Sequence, residues 1–156
     1  MSIQWTEDLS VGVEEIDAQH RELYATVAAL HEAMRASRLE RVPGILEFLQ
    51  RYALEHFALE ERHMASARHP HVEEHRAAHR AFVGDFLRQK AACAPGAIRP
   101  SAVVELSDWL GRWLREHVRK GTAGWDATSA RTPRGRRLER LASGAYRALR
   151  RTRTPG

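Results

Sequence analysis

The stretch YALEHFALEERHM, residues 52–64, decides how this chain folds. His56 and Glu60 are four residues apart, so on a helix they lie on the same face, one turn from each other. The preceding turns of that face carry Ile45, Leu49 and Tyr52. A histidine and a glutamate therefore stand where core side chains are expected. Because a buried carboxylate is costly unless it is paired or binds a metal, the two residues form either a buried hydrogen bond or part of a metal site.

Helical spacing of apolar residues recurs in the rest of the chain. It predicts helices over residues 13–37, 43–67, 70–91 and 101–120, with Pro43 and Pro70 in first turns and Ser101 as an N-cap. No segment has the alternation of a long strand. Four amphipathic helices of about 20 residues joined by short loops predict an all-α protein, an up-down-up-down four-helix bundle.

Length and composition place the chain among single-domain globular proteins. Its 156 residues are enough to bury a core. Cys93 is the only cysteine, which excludes an intrachain disulfide and favours a reducing compartment. There is no apolar run long enough to span a membrane, and the N-terminus lacks the pattern of a signal peptide. We therefore expect a cytoplasmic protein.

The basic charge is concentrated at the C-terminus. Residues 121–156 contain nine arginines and two acidic residues, a net charge of +7, whereas residues 1–120 have a net charge of −2. We predict a bundle domain over residues 1–124, with Ile3 and Trp5 in an N-terminal arm that lies across it. Residues 125–156 form an Arg-rich tail, either partly ordered or with a short helix between Leu138 and Leu149. Only this tail suggests binding to nucleic acid or an anionic surface.

Histidines occupy apolar faces of all four predicted helices. Five neutral imidazoles on converging faces do not easily satisfy one another, since each donor needs an acceptor. Imidazole and carboxylate together are good ligands for iron, zinc or copper. A metal site is therefore favoured over a purely structural polar core. Its predicted ligands are His20, His56, Glu60, His75, His79 and His117.

Over residues 3–120 the chain resembles the hemerythrins, in particular the bacterial hemerythrin-like proteins. The motifs that carry this resemblance are Trp5; Val11, Gly12 and Val13; Ile16, Asp17, Gln19, His20 and Leu23; His56, Phe57, Glu60, Glu61 and Met64; Pro70, His75 and His79; and Trp113, Leu114 and His117. The resemblance implies a four-helix bundle enclosing a non-haem diiron centre that reversibly binds dioxygen. It also implies that His75, His79 and His117 hold one iron, that His20 and His56 hold the other, and that Glu60 bridges them.

One family ligand is missing. The family has an aspartate five residues after the histidine of the fourth helix, as a second bridging carboxylate, and here that position is Thr122. A hydroxyl is a poor substitute for a bridging anion. On a continuing helix the nearest downstream carboxylate, Asp126, would point about 180° away from His117. We therefore expect a weaker metal position at His20 and His56, with a single-iron site as the alternative.

Three functions follow from these observations. The first is a non-enzymatic protein that binds or senses dioxygen. The second is a metal- or redox-responsive regulatory module acting through the basic tail. The third, ranked last, is oxygen activation at a single iron held by two histidines and Glu60. A ferritin-type site is disfavoured, because Glu60 and His63 form only one of the two Glu-x-x-His pairs that it needs. The residues expected to lie outside the site are His31, Glu61, His63, His69 and His71.

Overall fold

The fold is known from a computed structural model that describes residues 3–94, 96 and 98–121. Its four α-helices are α1 (Glu14–Arg35), α2 (Val42–Ser66), α3 (Val72–Ala91) and α4 (Pro100–Gly121), and two 3-10 turns span Glu7–Leu9 and Leu39–Arg41. No strand occurs in this part of the chain, which confirms the all-α prediction. The basic tail, with Thr122 and Asp126, lies outside the described residues.

The four helices pack as the sides of a bundle. Helix α1 contacts α2 and α4, and α3 contacts the same two helices. The predicted stripes are buried: α1 contributes Ile16, Tyr24 and Val27, and α4 contributes Leu106 and Leu110. The alternating up-and-down course of the helices remains a prediction. None of the described helices is both long and apolar enough to cross a bilayer.

The structure shifts two of the predicted helix starts. Helix α3 begins at Val72 and not at Pro70, because the Val72 amide instead closes a turn onto the carbonyl of His69, 3.3 Å away. Helix α4 begins at Pro100, so the prediction that Ser101 caps it was wrong. Proline is favourable at a first helical position, where its missing N–H would have no partner within the helix.

The N-terminal arm is fastened to the bundle, as the sequence predicted. The Asp17 carboxylate accepts hydrogen bonds from the Val11 amide at 2.8 Å and the Ser10 hydroxyl at 2.6 Å. Nearer the N-terminus, Ile3 lies against Gly111 of α4. A Cβ added at Gly111 would come within 2.7 Å of the Ile3 Cδ1 atom. The arm therefore covers the α1–α4 side of the bundle.

Candidate metal centre

All six predicted ligands lie together in the interior. Helix α1 contributes one of them, α2 two, α3 two and α4 one, and all six side chains are buried. The spacing of four residues in α2 and in α3 places both ligands of each helix on the same inward face. The sequence prediction that these residues share one centre is therefore matched by their positions, whereas their role as ligands remains a prediction.

The centre is arranged around the carboxylate of Glu60, which is completely buried. Its Oε2 atom lies 2.9 Å from Nε2 of His75 and 3.1 Å from Nε2 of His117. The Nε2 atoms of His79 and His56 are 3.3 and 3.5 Å from the same oxygen. Five imidazoles thus direct their Nε2 atoms at one carboxylate, since Nε2 of His20 lies 4.0 Å from the other oxygen, Oε1.

These atoms form two overlapping groups that can each hold a cation. The first group is Glu60 with His75, His79 and His117; the second is Glu60 with His20, His56 and His117. Within each group the ligand atoms lie within 4.8 Å of one another. Glu60 belongs to both groups, as expected of a bridging carboxylate. His117 also lies within reach of both, although the resemblance assigns it to the first group only.

Burial controls protonation at the centre. It lowers the pKa of His20 to about 4 and that of His56 well below 6.5, although the attraction of Glu60 acts in the opposite direction. Burial likewise lowers the pKa of His117. For Glu60, burial alone would raise the pKa, but His117 and His56 outweigh it and hold the pKa well below its usual range. His20, His56 and His117 therefore favour the neutral form and Glu60 favours the ionised form, and these are the forms that bind metal.

Two residues to which sequence reasoning assigned no role at the centre contact the outer nitrogens of two imidazoles. Nδ1 of His56 lies 2.9 Å from Oε1 of Gln19, and Nδ1 of His79 lies 2.7 Å from Oε1 of Glu61. Glu61 was expected to be a surface residue, but it is only 26% exposed. The sequence did contain a signal for this contact, because Gln19 and Glu61 directly neighbour the predicted ligands His20 and Glu60. On a helix, such a neighbour is turned by about 100° from the ligand and can face an adjacent helix.

Aromatic rings fix the planes of several imidazoles. Phe57 stacks on His79 with ring centroids 3.8 Å apart, and Trp113 stacks on His117 at 4.4 Å. On the arm side, the Trp5 ring lies 6.1 Å from that of His20. These contacts restrict the rotation of the imidazoles, so the centre is largely formed before any ligand arrives.

An apolar cavity of about 20 Å³ lies beside the centre. Its walls include Phe57 and Trp113, the two rings that stack on the imidazoles of His79 and His117. The remaining lining residues are apolar as well: Leu23, Val27, Leu49, Ala53, Phe82, Leu110 and Leu114. Because a water molecule needs two or more polar partners, a cavity of this chemistry stays dry.

The other histidines lie outside the centre, as expected. Nε2 of His63 is 3.6 Å from a carboxylate oxygen of Glu15, and Nδ1 of His31 lies 3.3 Å from the Ser107 hydroxyl. His71 is 63% exposed and lies near Glu74. In the described part of the chain the only groups with the geometry of a metal site are the two around Glu60.

Known proteins match this region of the chain. The family model described as "Hemerythrin HHE cation binding domain" matches residues 11–121. A bacteriohemerythrin of Pseudomonas paraeruginosa is 30% identical over 121 residues, which are 78% of this chain and 77% of the relative. One of Stenotrophomonas maltophilia is also 30% identical, over 74% of this chain and 73% of its own length. The matched region contains all four helices and all six residues of the centre, so the chain belongs to the hemerythrin family.

Proposed function

We propose that this chain is a non-haem iron protein that binds dioxygen reversibly or senses it. The observation that carries the proposal is the convergence of five imidazole Nε2 atoms on the buried carboxylate of Glu60. As an oxygen carrier or sensor the protein would bind its ligand without catalysing a reaction.

The hydrogen bonding of the centre supports a cation. A carboxylate or an amide oxygen can only accept, so Glu61 and Gln19 require protons on Nδ1 of His79 and His56. In the neutral imidazole, Nε2 then carries a lone pair and faces Oε2 of Glu60, another acceptor. Within the described part of the chain, Nε2 of both histidines is buried without a hydrogen-bond partner, and so is Oε1 of Glu60. A cation among these acceptors would satisfy them, so the residues present fit a metal.

The matching family model names a bound cation. The resemblance to the hemerythrins implies that this cation is iron, which the nitrogen and oxygen donors suit. By family resemblance, one iron would be held by His75, His79 and His117, and the other by His20 and His56, with Glu60 between them. Bound iron would supply the electrons that reversible dioxygen binding requires. A single iron is the alternative, because Thr122 occupies the position of the family's second bridging carboxylate.

The apolar surroundings favour a small gas as the ligand. The cavity beside the centre has room for about one small molecule and offers no polar contact. Phe57 and Trp113 separate it from His79 and His117 by a single layer of rings. An apolar diatomic molecule can occupy such a space, and the same walls keep water and protons away from the centre.

The test is iron content per chain combined with absorption spectra recorded first without air and then with it. We expect bound iron and a spectral change on exposure to dioxygen that reverses when the gas is removed. His79→Ala should lose iron, whereas His71→Ala, a change at an exposed histidine, should retain it. A chain that binds no iron, or an iron-loaded chain whose spectrum ignores dioxygen, would refute the proposal.

The regulatory alternative rests on the net charge of +7 in residues 121–156. It predicts binding to nucleic acid or anionic lipid that weakens steeply with added salt. A regulatory role for the tail would be contradicted if the protein bound nucleic acid and anionic lipid equally weakly at physiological salt. It would also have to bind them to the same extent in every iron and oxygen state.

A further inference from the structure

The outer nitrogens of the cluster imidazoles have chemically different partners. The carboxylate of Glu61 accepts from Nδ1 of His79 at 2.7 Å. Its other oxygen, Oε2, lies 3.5 Å from Nε of Arg76, which is on the same helix as His79 and one turn before it. Each carboxylate oxygen thus lies near a different residue of α3, and the two contacts together restrict the rotation of the carboxylate.

The corresponding contact in the second group is uncharged. Nδ1 of His56 donates to the amide oxygen of Gln19 at 2.9 Å. His20, the other histidine that the family resemblance assigns to this position, is fully buried, and its Nδ1 has no hydrogen-bond partner among the described residues. The contact with Glu61 thus gives His79 an anionic partner, whereas the contact of His56 with Gln19 is uncharged, and neither contact involves residue 122.

An anionic acceptor changes the imidazole that donates to it. It fixes the proton on Nδ1, directs the Nε2 lone pair inwards and makes that nitrogen a more basic ligand. We propose that Glu61 is a positioning residue that makes the group of His75, His79 and His117 the tighter of the two metal positions. The inference rests on the proposed function for the presence of a metal, and it holds whether or not dioxygen binds.

Glu61→Gln is the decisive variant, because it removes the charge and keeps the shape and a hydrogen-bond acceptor. Glu73→Gln is its matched control: Glu73 pairs with Arg76 at 2.5 Å and is 74% exposed, and it carries the same charge. Each protein is stripped of metal and titrated with zinc ions in competition with a coloured chelator, which gives separate dissociation constants for the first and second ion. Iron-loaded samples are then compared by their midpoint potential.

We expect Glu61→Gln to weaken binding of the first ion by about 10- to 100-fold and to leave the second nearly unchanged. Its midpoint potential should rise, because a less basic ligand stabilises ferric iron less. Glu73→Gln should match the unmodified protein in both measurements. The reciprocal variant Gln19→Glu should tighten binding of the second ion, which a purely structural role of these residues would not produce.

Several results would overturn the inference. Equal first-ion affinities in the unmodified protein and Glu61→Gln would do so, as would equal losses in Glu61→Gln and Glu73→Gln. Loss at both ions together, with a lower melting temperature of the metal-free variant, would show a structural role only. A protein that binds zinc and iron but ignores dioxygen would refute the proposed function and leave this inference standing, whereas an unmodified chain that binds no metal would refute both.

Discussion

Acidifying the metal-free protein should destabilise it within a defined pH range. Burial, partly offset by Glu60, lowers the pKa of His20 from 6.5 to about 4. Between these values the unfolded chain holds a proton that the folded protein lacks, so the free energy of unfolding falls as the pH drops through this window. At about pH 5, His20 alone should cost about 2 kcal/mol relative to neutral pH. Burial also lowers the pKa of His56 and His117, so their effects have the same sign.

The measurement is urea unfolding of chelator-treated protein, followed by far-ultraviolet circular dichroism at about pH 7 and about pH 5. Asparagine in place of His20 should remove that residue's share of the pH dependence, whatever it does to stability at neutral pH. Asparagine in place of the exposed His71 should leave the dependence intact. If the metal-free protein has the same free energy of unfolding at both pH values, the imidazoles are not buried in the neutral form and this reasoning fails.

Three further changes probe the fold and the centre. Phe57→Ala removes a buried ring that stacks on the imidazole of His79, and it should lower the free energy of unfolding by about 3–5 kcal/mol. Its control is Leu54→Ala, at a 46% exposed position, which should change the free energy of unfolding by less than about 0.5 kcal/mol. Similar losses in the two variants would contradict the packing. Thr122→Asp should restore a bridging anion and raise iron content towards two per chain; an unmodified protein that already holds two irons tightly, with no gain in the variant, would show that another group bridges. A chain ending at residue 127 should retain its helical content and metal, and loss of cooperative melting on truncation would show that the tail belongs to the core.

The sequence alone was sufficient for the four helices and the membership of the centre. Helical periodicity is a local property of the chain, so the faces that carry His20, His56 and His117 can be read from spacing. Polar residues on apolar faces then had to meet inside the bundle, because burying each of them alone is too costly. Two further predictions came from local sequence: the apolar residues Ile3 and Trp5 predicted an arm across the bundle, and the position of His71 beside Pro70 placed it outside the centre.

Helix starts were less predictable, because local signals compete there. Ser101 is a good N-cap residue, but Pro100 beside it is already helical, and a proline at a first position sacrifices no hydrogen bond. Likewise Pro70 was compatible with a helix start, but the Val72 amide bonds the carbonyl of His69 in a turn. Which signal prevails depends on the path of the chain between two packed helices.

Only the tertiary structure decided which side chains support the ligands. Glu61 and Gln19 are adjacent in sequence to Glu60 and His20, yet they contact His79 and His56 on other helices. These contacts depend on the rotation and separation of neighbouring helices, which are set by the packing of the whole core. Sequence spacing could therefore predict which six residues lie together at the centre, whereas the charge beside each imidazole, on which the proposed role of Glu61 rests, follows from how the helices pack.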